Sequence, residues 1–196
     1  MKKFTCVFVL IFALCNGYAA PFFPDFQWPM GNGYGNDVKI TSPFGYRSDV
    51  FLPGQGGDDS SMHFALDMIP KDGSYKVVPI LAAYDGTAVD VYPAPGGKFR
   101  GHPTFGGCVL LKHDLGIVDG KHIYAYTFYA HMKEVDISTK EKVKKGELIG
   151  VMGSTGKSDG AHLHFEIRFD PRNFLQVTSP PKIFMTCTSL IQFNRK

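Results

Sequence analysis

From Ala161 onward, the stretch Gly160-Ala161-His162-Leu163-His164-Phe165-Glu166-Ile167-Arg168-Phe169 alternates polar and apolar without a break. Successive side chains of a strand point to opposite faces. His162, His164, Glu166 and Arg168 therefore share one face, and Leu163, Phe165, Ile167 and Phe169 share the other. The apolar face belongs in a core, which aims both histidines into one polar cleft.

The pattern around this strand is similar. Cys108 to His113 reads as a mostly apolar strand. Asp119-Gly120 is a hairpin signal leading into a strand from His122 to Met132. Ile80 to Val91 reads as strand, turn and strand around Asp85-Gly86, and Lys144-Lys145-Gly146 as a further turn. No stretch carries helical periodicity over three turns, and there are no repeats. The expected fold is mainly β, a single compact antiparallel sheet domain. Two long surface loops are expected, one from Gln55 to Ser61 and one from Pro93 to Gly107. Loops of that length inside a compact domain often form binding walls.

Length and composition agree. The 196 residues fit one domain with extensions, and 44% hydrophobic content is enough for a sizeable core. A net charge of +3 is too small to argue for a nucleic-acid partner. Residues 1–19 read as a secretory signal: Lys2 and Lys3, an apolar run from Phe4 to Leu14, and Gly17-Tyr18-Ala19 as a cleavage site. The apolar run is too short to span a bilayer as a mature helix. Cleavage after Ala19 would leave a mature charge of +1 and no stable membrane anchor. Residues 20–39 form an irregular lead-in whose aromatics are expected to pack on the domain. Of the four cysteines, Cys108 and Cys187 stay in the mature chain. In an oxidising compartment they fit either one disulfide or two separate buried thiols.

The chemistry lies in three short segments. His63-Phe64-Ala65-Leu66-Asp67 and His162-Leu163-His164 are far apart in the chain, with Tyr129-Ala130-His131-Met132 between them. Two imidazoles and one carboxylate suit Zn²⁺, and three protein ligands leave a fourth position for water. That is the layout of a hydrolytic site rather than a structural one. His102, His113 and His122 read as structural or surface residues, and Tyr124 and Tyr126 as core or cross-strand packing.

With these segments quoted, the chain resembles the lysostaphin-type, or LytM-like, zinc metallopeptidases, which cleave peptidoglycan. Further matches are Ile40-Thr41-Ser42-Pro43-Phe44-Gly45-Tyr46-Arg47, Pro79-Ile80-Leu81-Ala82-Ala83-Tyr84-Asp85-Gly86, Val143-Lys144-Lys145-Gly146-Glu147-Leu148-Ile149-Gly150 and Gly153-Ser154-Thr155-Gly156. They run in the family's order over residues 40 to 170. Carried over by position, the resemblance implies one Zn²⁺ on His63, Asp67 and His164, at the floor of an open groove. It makes His131 and His162 the catalytic pair, without saying which is the base. Tyr46, Arg47, Ser158 and Asp159 are candidates for the groove.

The implied protein is an exported endopeptidase, periplasmic or secreted and monomeric. It would hydrolyse peptide bonds in peptidoglycan cross-links or stem peptides through a zinc-activated water. D-alanyl–diaminopimelate and glycyl–glycine bonds both remain open. Two rivals are a non-catalytic wall-binding or amidase-activating module of the same fold, and a zinc endopeptidase acting on proteins. The catalytic domain is expected over residues 40–175, with a tail over 176–196.

Some positions depart from the family. Ala65 stands where Gly is usual, Asp159 where Thr is common, and the insert around residues 93–106 is long. Gly150-Val151-Met152-Gly153-Ser154-Thr155-Gly156-Lys157-Ser158 imitates a phosphate-binding loop. Its spacing is one residue too long, and it leads into a strand where that motif needs a helix.

Overall fold

The computed structural model describes residues 26–33, 36–46, 62–93, 101–118 and 120–168. The expected signal segment and tail, Arg47, Cys187 and the loop expected from Gln55 to Ser61 lie outside the described residues. Among the described residues, twelve strands run in chain order: β1 (Val38–Ser42), β2 (Gly45–Tyr46), β3 (Met62–His63), β4 (Leu66–Pro70), β5 (Pro79–Leu81) and β6 (Gly86–Tyr92). Then come β7 (Gly107–Val118), β8 (Lys121–Met132), β9 (Glu134–Val135), β10 (Lys142–Val143), β11 (Leu148–Val151) and β12 (Leu163–Arg168). No helix of the described residues is long and apolar enough to cross a membrane.

A seven-stranded sheet runs in the order β1-β4-β12-β8-β7-β6-β10, every pair antiparallel. A three-stranded sheet, β5-β11-β9, and the pair β2-β3 complete the structure. The mainly β, antiparallel expectation is met. β7 and β8 form the central hairpin, with Val118 opposite Lys121 across Asp119-Gly120.

The alternation along the central strands divides the sheet's two faces. Val109, Leu111, Tyr129, Leu163, Phe165 and Ile167 face the main core, which also takes Leu66, Met68 and Ile149. Cys108, Leu110, Tyr126, Phe128 and Ala130 form a second buried cluster on the opposite face. The lead-in joins the main core through Phe26, which is fully buried, with Trp28 packed against it.

Two details differ from the sequence reading. Ile80 to Val91 does contain strand, turn and strand, but its strands belong to different sheets: β5 pairs with β11, and β6 with β7 and β10. The connecting Ala82 and Ala83 are fully buried, and their backbone amides bond outside any hairpin. Ala82 donates to the Glu147 carbonyl, and Ala83 to the Tyr129 hydroxyl. Small buried residues let the chain cross through the core instead of turning back on itself.

The expected long loop up to Gly107 is also, at its described end, not a loose surface segment. His102 and Gly106 form a β-bridge, and the Phe105 ring packs edge-on against Phe128 at 5.0 Å. Cys108 is fully buried in the second cluster, with no disulfide partner among the described residues, and burial pushes its thiol pKa up.

Candidate active site

The sheet's register assembles the site. β4 and β12 pair so that Asp67 lies directly opposite His164. Directly opposed side chains in an antiparallel pair have Cβ atoms about 4.5–5.5 Å apart. Both point to the face opposite the main core, because their neighbours Leu66, Met68, Leu163 and Phe165 fill that core. β3, held by the Gly45–His63 pairing with β2, brings in His63.

The contacts are close. His164 Nδ1 is 3.1 Å from Asp67 Oδ1, His63 Nε2 is 3.3 Å from Asp67 Oδ2, and His162 Nε2 is 3.7 Å from Asp67 Oδ1. The His131 ring lies 4.7 Å from that of His162 and 5.8 Å from that of His164. All five expected residues are therefore in one cluster.

His131 reaches it by breaking the strand pattern. Regular alternation along β8 would send it toward the main core with Tyr129. Instead its φ is +61°, and Met132 takes the core position. Such a backbone costs about 1–3 kcal/mol in a residue other than glycine and persists only where its surroundings fix it. Here His131 N donates to the Phe105 carbonyl at 2.8 Å, and His131 Nδ1 faces the Thr155 carbonyl at 2.8 Å. The Thr155 hydroxyl donates to the Met132 carbonyl and accepts from Gly107 N. A glycine is needed at 106: its φ is +65°, and a Cβ there would run into Thr155.

Each imidazole of the cluster has one nitrogen committed to an oxygen acceptor. A carbonyl or ionised carboxylate only accepts, so the nitrogen facing it carries the hydrogen. His63 Nδ1 faces the Pro43 carbonyl at 3.0 Å, His162 Nδ1 the Gly160 carbonyl at 2.8 Å, and His131 Nδ1 that of Thr155. His164 Nε2 faces Glu166 Oε1 at 3.0 Å. The second nitrogens, Nε2 of His63 and His162 and Nδ1 of His164, converge on the Asp67 carboxylate.

The electrostatics follow. Burial works to raise the Asp67 pKa, but hydrogen bonds from His164 and His63 outweigh it and hold the carboxyl well below its usual range. Burial works against charge on His164, yet its bonds to Asp67 and Glu166 raise its pKa to about 9. Burial lowers His131 to about 4, so it stays neutral.

His63, Asp67 and His164 each offer a ligand atom within 4.8 Å of the others, a group able to hold a metal ion. The donor chemistry fits a divalent cation such as zinc. On both histidines the N–H is tied off elsewhere, which orients the ring and directs the other nitrogen at the carboxylate.

The groove candidates fare differently. Ser158 is half-buried, its hydroxyl 3.4 Å from His162 Nδ1 and donating to the Gly160 carbonyl at 2.8 Å. Asp159 is exposed, and no described hydrogen bond or ion pair joins it to the cluster. Tyr46 has its backbone in β2, but its side chain lies outside the described residues, as does Arg47. The sequence reading missed Phe105, whose ring is 5.8 Å from that of His164, and the hub role of Thr155. The glycines flanking both segments were the available signal.

Comparison with known proteins agrees with this geometry. Residues 61–175 match the model of Peptidase family M23, and the chain belongs to that family. It is 31% identical over 146 residues to the DD-carboxypeptidase/endopeptidase Mpg of Neisseria meningitidis serogroup B, covering 73% of this chain and 28% of that protein. It is 41% identical over 148 residues to the cell division protein DipM of Caulobacter vibrioides, covering 74% and 18%. The chain thus spans under a third of the length of these relatives. Among solved structures, a zinc-containing peptidase from Vibrio cholerae has the same fold, with TM-score 0.53 and 23% identity over 74% of this chain and 37% of that one. So does a chain of the SpoIIQ–SpoIIIAH pore-forming complex, with TM-score 0.58 and 22% identity over 87% and 92%.

Proposed function

We propose that the protein is an exported zinc metalloendopeptidase that hydrolyses peptide bonds in peptidoglycan cross-links or stem peptides. The observation that carries this reading is the cluster itself: four imidazoles, each with one N–H tied off, around one half-buried carboxylate. Family membership supports it, and so does a relative from Vibrio cholerae named peptidoglycan DD-endopeptidase ShyA.

In this reading His63, Asp67 and His164 hold one Zn²⁺. When bound, the ion supplies Lewis-acid polarisation of the scissile carbonyl and lowers the pKa of water toward neutrality. His131 and His162 handle protons. Each keeps Nδ1–H on a backbone carbonyl, so Nε2 can accept a proton from the attacking water and return one to the leaving amine. Burial keeps His131 neutral and ready to accept. Phe105 and Phe128 form an apolar wall beside His164, which limits water there and strengthens the polar contacts. Residues 40–175 make up the catalytic domain, and residues 1–19 direct export. A non-catalytic wall-binding module would need none of these positions, and none is missing.

The test is mass spectrometry of muropeptides released when the purified protein is incubated with isolated sacculi. Loss of cross-linked dimers, abolished by a zinc chelator and restored by zinc, is the expected result. Intact sacculi with a zinc-loaded protein would overturn the reading.

A further inference from the structure

β12 carries a second arrangement on the same face as His164. Glu166 and Arg168 follow at alternate positions, and both are buried, with relative exposures of 2% and 7%. Across the strand pair they face Phe128 and Tyr126, and the Arg168 guanidinium sits 5.4 Å above the Phe128 ring. Arg168 Nε donates to Glu166 Oε2 at 2.6 Å, and Nη2 approaches the same oxygen at 2.5 Å. Both bonds go to Oε2, so Oε1 is left to accept His164 Nε2–H at 3.0 Å. Arg168 Nη1 is buried, with no hydrogen-bond partner among the described residues.

A contribution to stability does not account for this pair. Apolar residues of similar volume commonly replace a buried ion pair at no loss. What the arrangement does achieve is directional. Arg168 fixes one oxygen of Glu166, which turns the other onto His164. That bond fixes the His164 tautomer and aims Nδ1 at Asp67.

We propose that Glu166 and Arg168 are positioning residues that set how tightly His63, Asp67 and His164 hold a divalent cation, Arg168 acting only through Glu166. This rests on the zinc reading of the site. An outer partner of a metal-bound histidine commonly accounts for 10- to 100-fold in metal affinity.

The experiment measures the zinc dissociation constant of metal-stripped full-length protein by competition with a chromophoric chelator, alongside the melting temperature of the metal-free form. Glu166→Gln should weaken zinc binding by roughly 10- to 100-fold. Arg168→Met should weaken it less, and Arg168→Lys, which keeps a charge on Oε2, should recover most of the affinity. Glu166→Gln combined with Arg168→Met should bind zinc no more weakly than Glu166→Gln alone. The double variant also removes both buried charges together, so it remains informative if a single variant fails to fold.

A double variant with unchanged zinc affinity would overturn the inference, as would effects of the two substitutions that simply multiply. A drop in metal-free melting temperature with unchanged zinc affinity would make the pair structural only. A wild-type protein that binds no zinc would instead remove the reading of the site itself.

Discussion

Two regions of this sheet bury histidine, and they treat its second nitrogen in opposite ways. On the main-core face, His113 has Nδ1 2.9 Å from the Asp85 carbonyl and Nε2 2.7 Å from the Thr127 hydroxyl. The Thr127 and Tyr129 hydroxyls are 3.0 Å apart, and Tyr129 accepts from Ala83 N at 2.8 Å. Phe26 and Tyr84 pack edge-on around the ring, and every polar atom of this chain of groups has a protein partner. On the opposite face, each of the four clustered histidines has one nitrogen on an acceptor of its own. The other nitrogens of His63, His162 and His164 meet at a single carboxylate. His63 and His131 of the cluster are buried as His113 is, so neither burial nor residue type by itself separates the two regions. The second nitrogen does: where the fold satisfies it, the histidine is part of the core, and where the fold leaves it facing a shared centre, it is available for chemistry.

That contrast is most severely tested by removing one histidine from each region. His164→Ala should lose both bound zinc and all measurable hydrolysis, because it removes one of three ligands. His113→Gln should keep both while melting earlier, since it disturbs only the core chain of hydrogen bonds. Metal analysis and muropeptide release measure this directly. Full zinc retention by His164→Ala would break the comparison, and so would zinc loss from His113→Gln.

A finer division lies within the cluster. His131→Ala and His162→Ala should retain about one equivalent of zinc, as a single three-ligand site predicts. Their hydrolysis rates should fall roughly 10²- to 10⁴-fold, the usual worth of positioned proton transfer. Zinc loss from either variant, with retention in His63→Ala, would exchange the ligand and catalytic labels.

Some of this was legible in the chain and some was not. The alternation from His162 to Arg168 predicts the strand, its faces and the shared side of two histidines, because strand periodicity is local. The sequence also shows that Asp119-Gly120 closes a hairpin. It does not show that Asp67 sits opposite His164, since register between strands almost a hundred residues apart is set by packing of the whole sheet. His131 was harder still. A strand reading from His122 to Met132 sends it into the core, and only the positive φ held by Phe105 and Thr155 turns it to the cleft. Glu166 and Arg168 look like solvent-facing residues of an amphipathic strand. They are buried because Phe128 and its neighbours form a second apolar cluster, which a single-strand pattern cannot reveal.

The smallest expected effect comes from acid. Burial pushes the His113 pKa down to about 4, with the Asp85 carbonyl and carboxylate only partly offsetting it. An unfolded histidine titrates near 6.5. Between pH 6.5 and 4 the unfolded chain therefore binds a proton that the native state excludes. Stability rises with pH wherever the unfolded state binds more protons, so the His113 contribution is complete above about 6.5. It is lost as pH falls toward 4 and is level below that. A shift of this size corresponds to about 3 kcal/mol over the window. His113→Gln does not titrate, so it should lack this slope. Urea unfolding of both proteins in their metal-free forms at several pH values isolates the difference, because the clustered histidines contribute equally to each. The stability gap between wild type and variant should narrow by about 3 kcal/mol from pH 7 to pH 4. A gap that stays constant would mean that His113 is protonated as readily in the fold as outside it, and the contrast between the two buried regions would lose its core half.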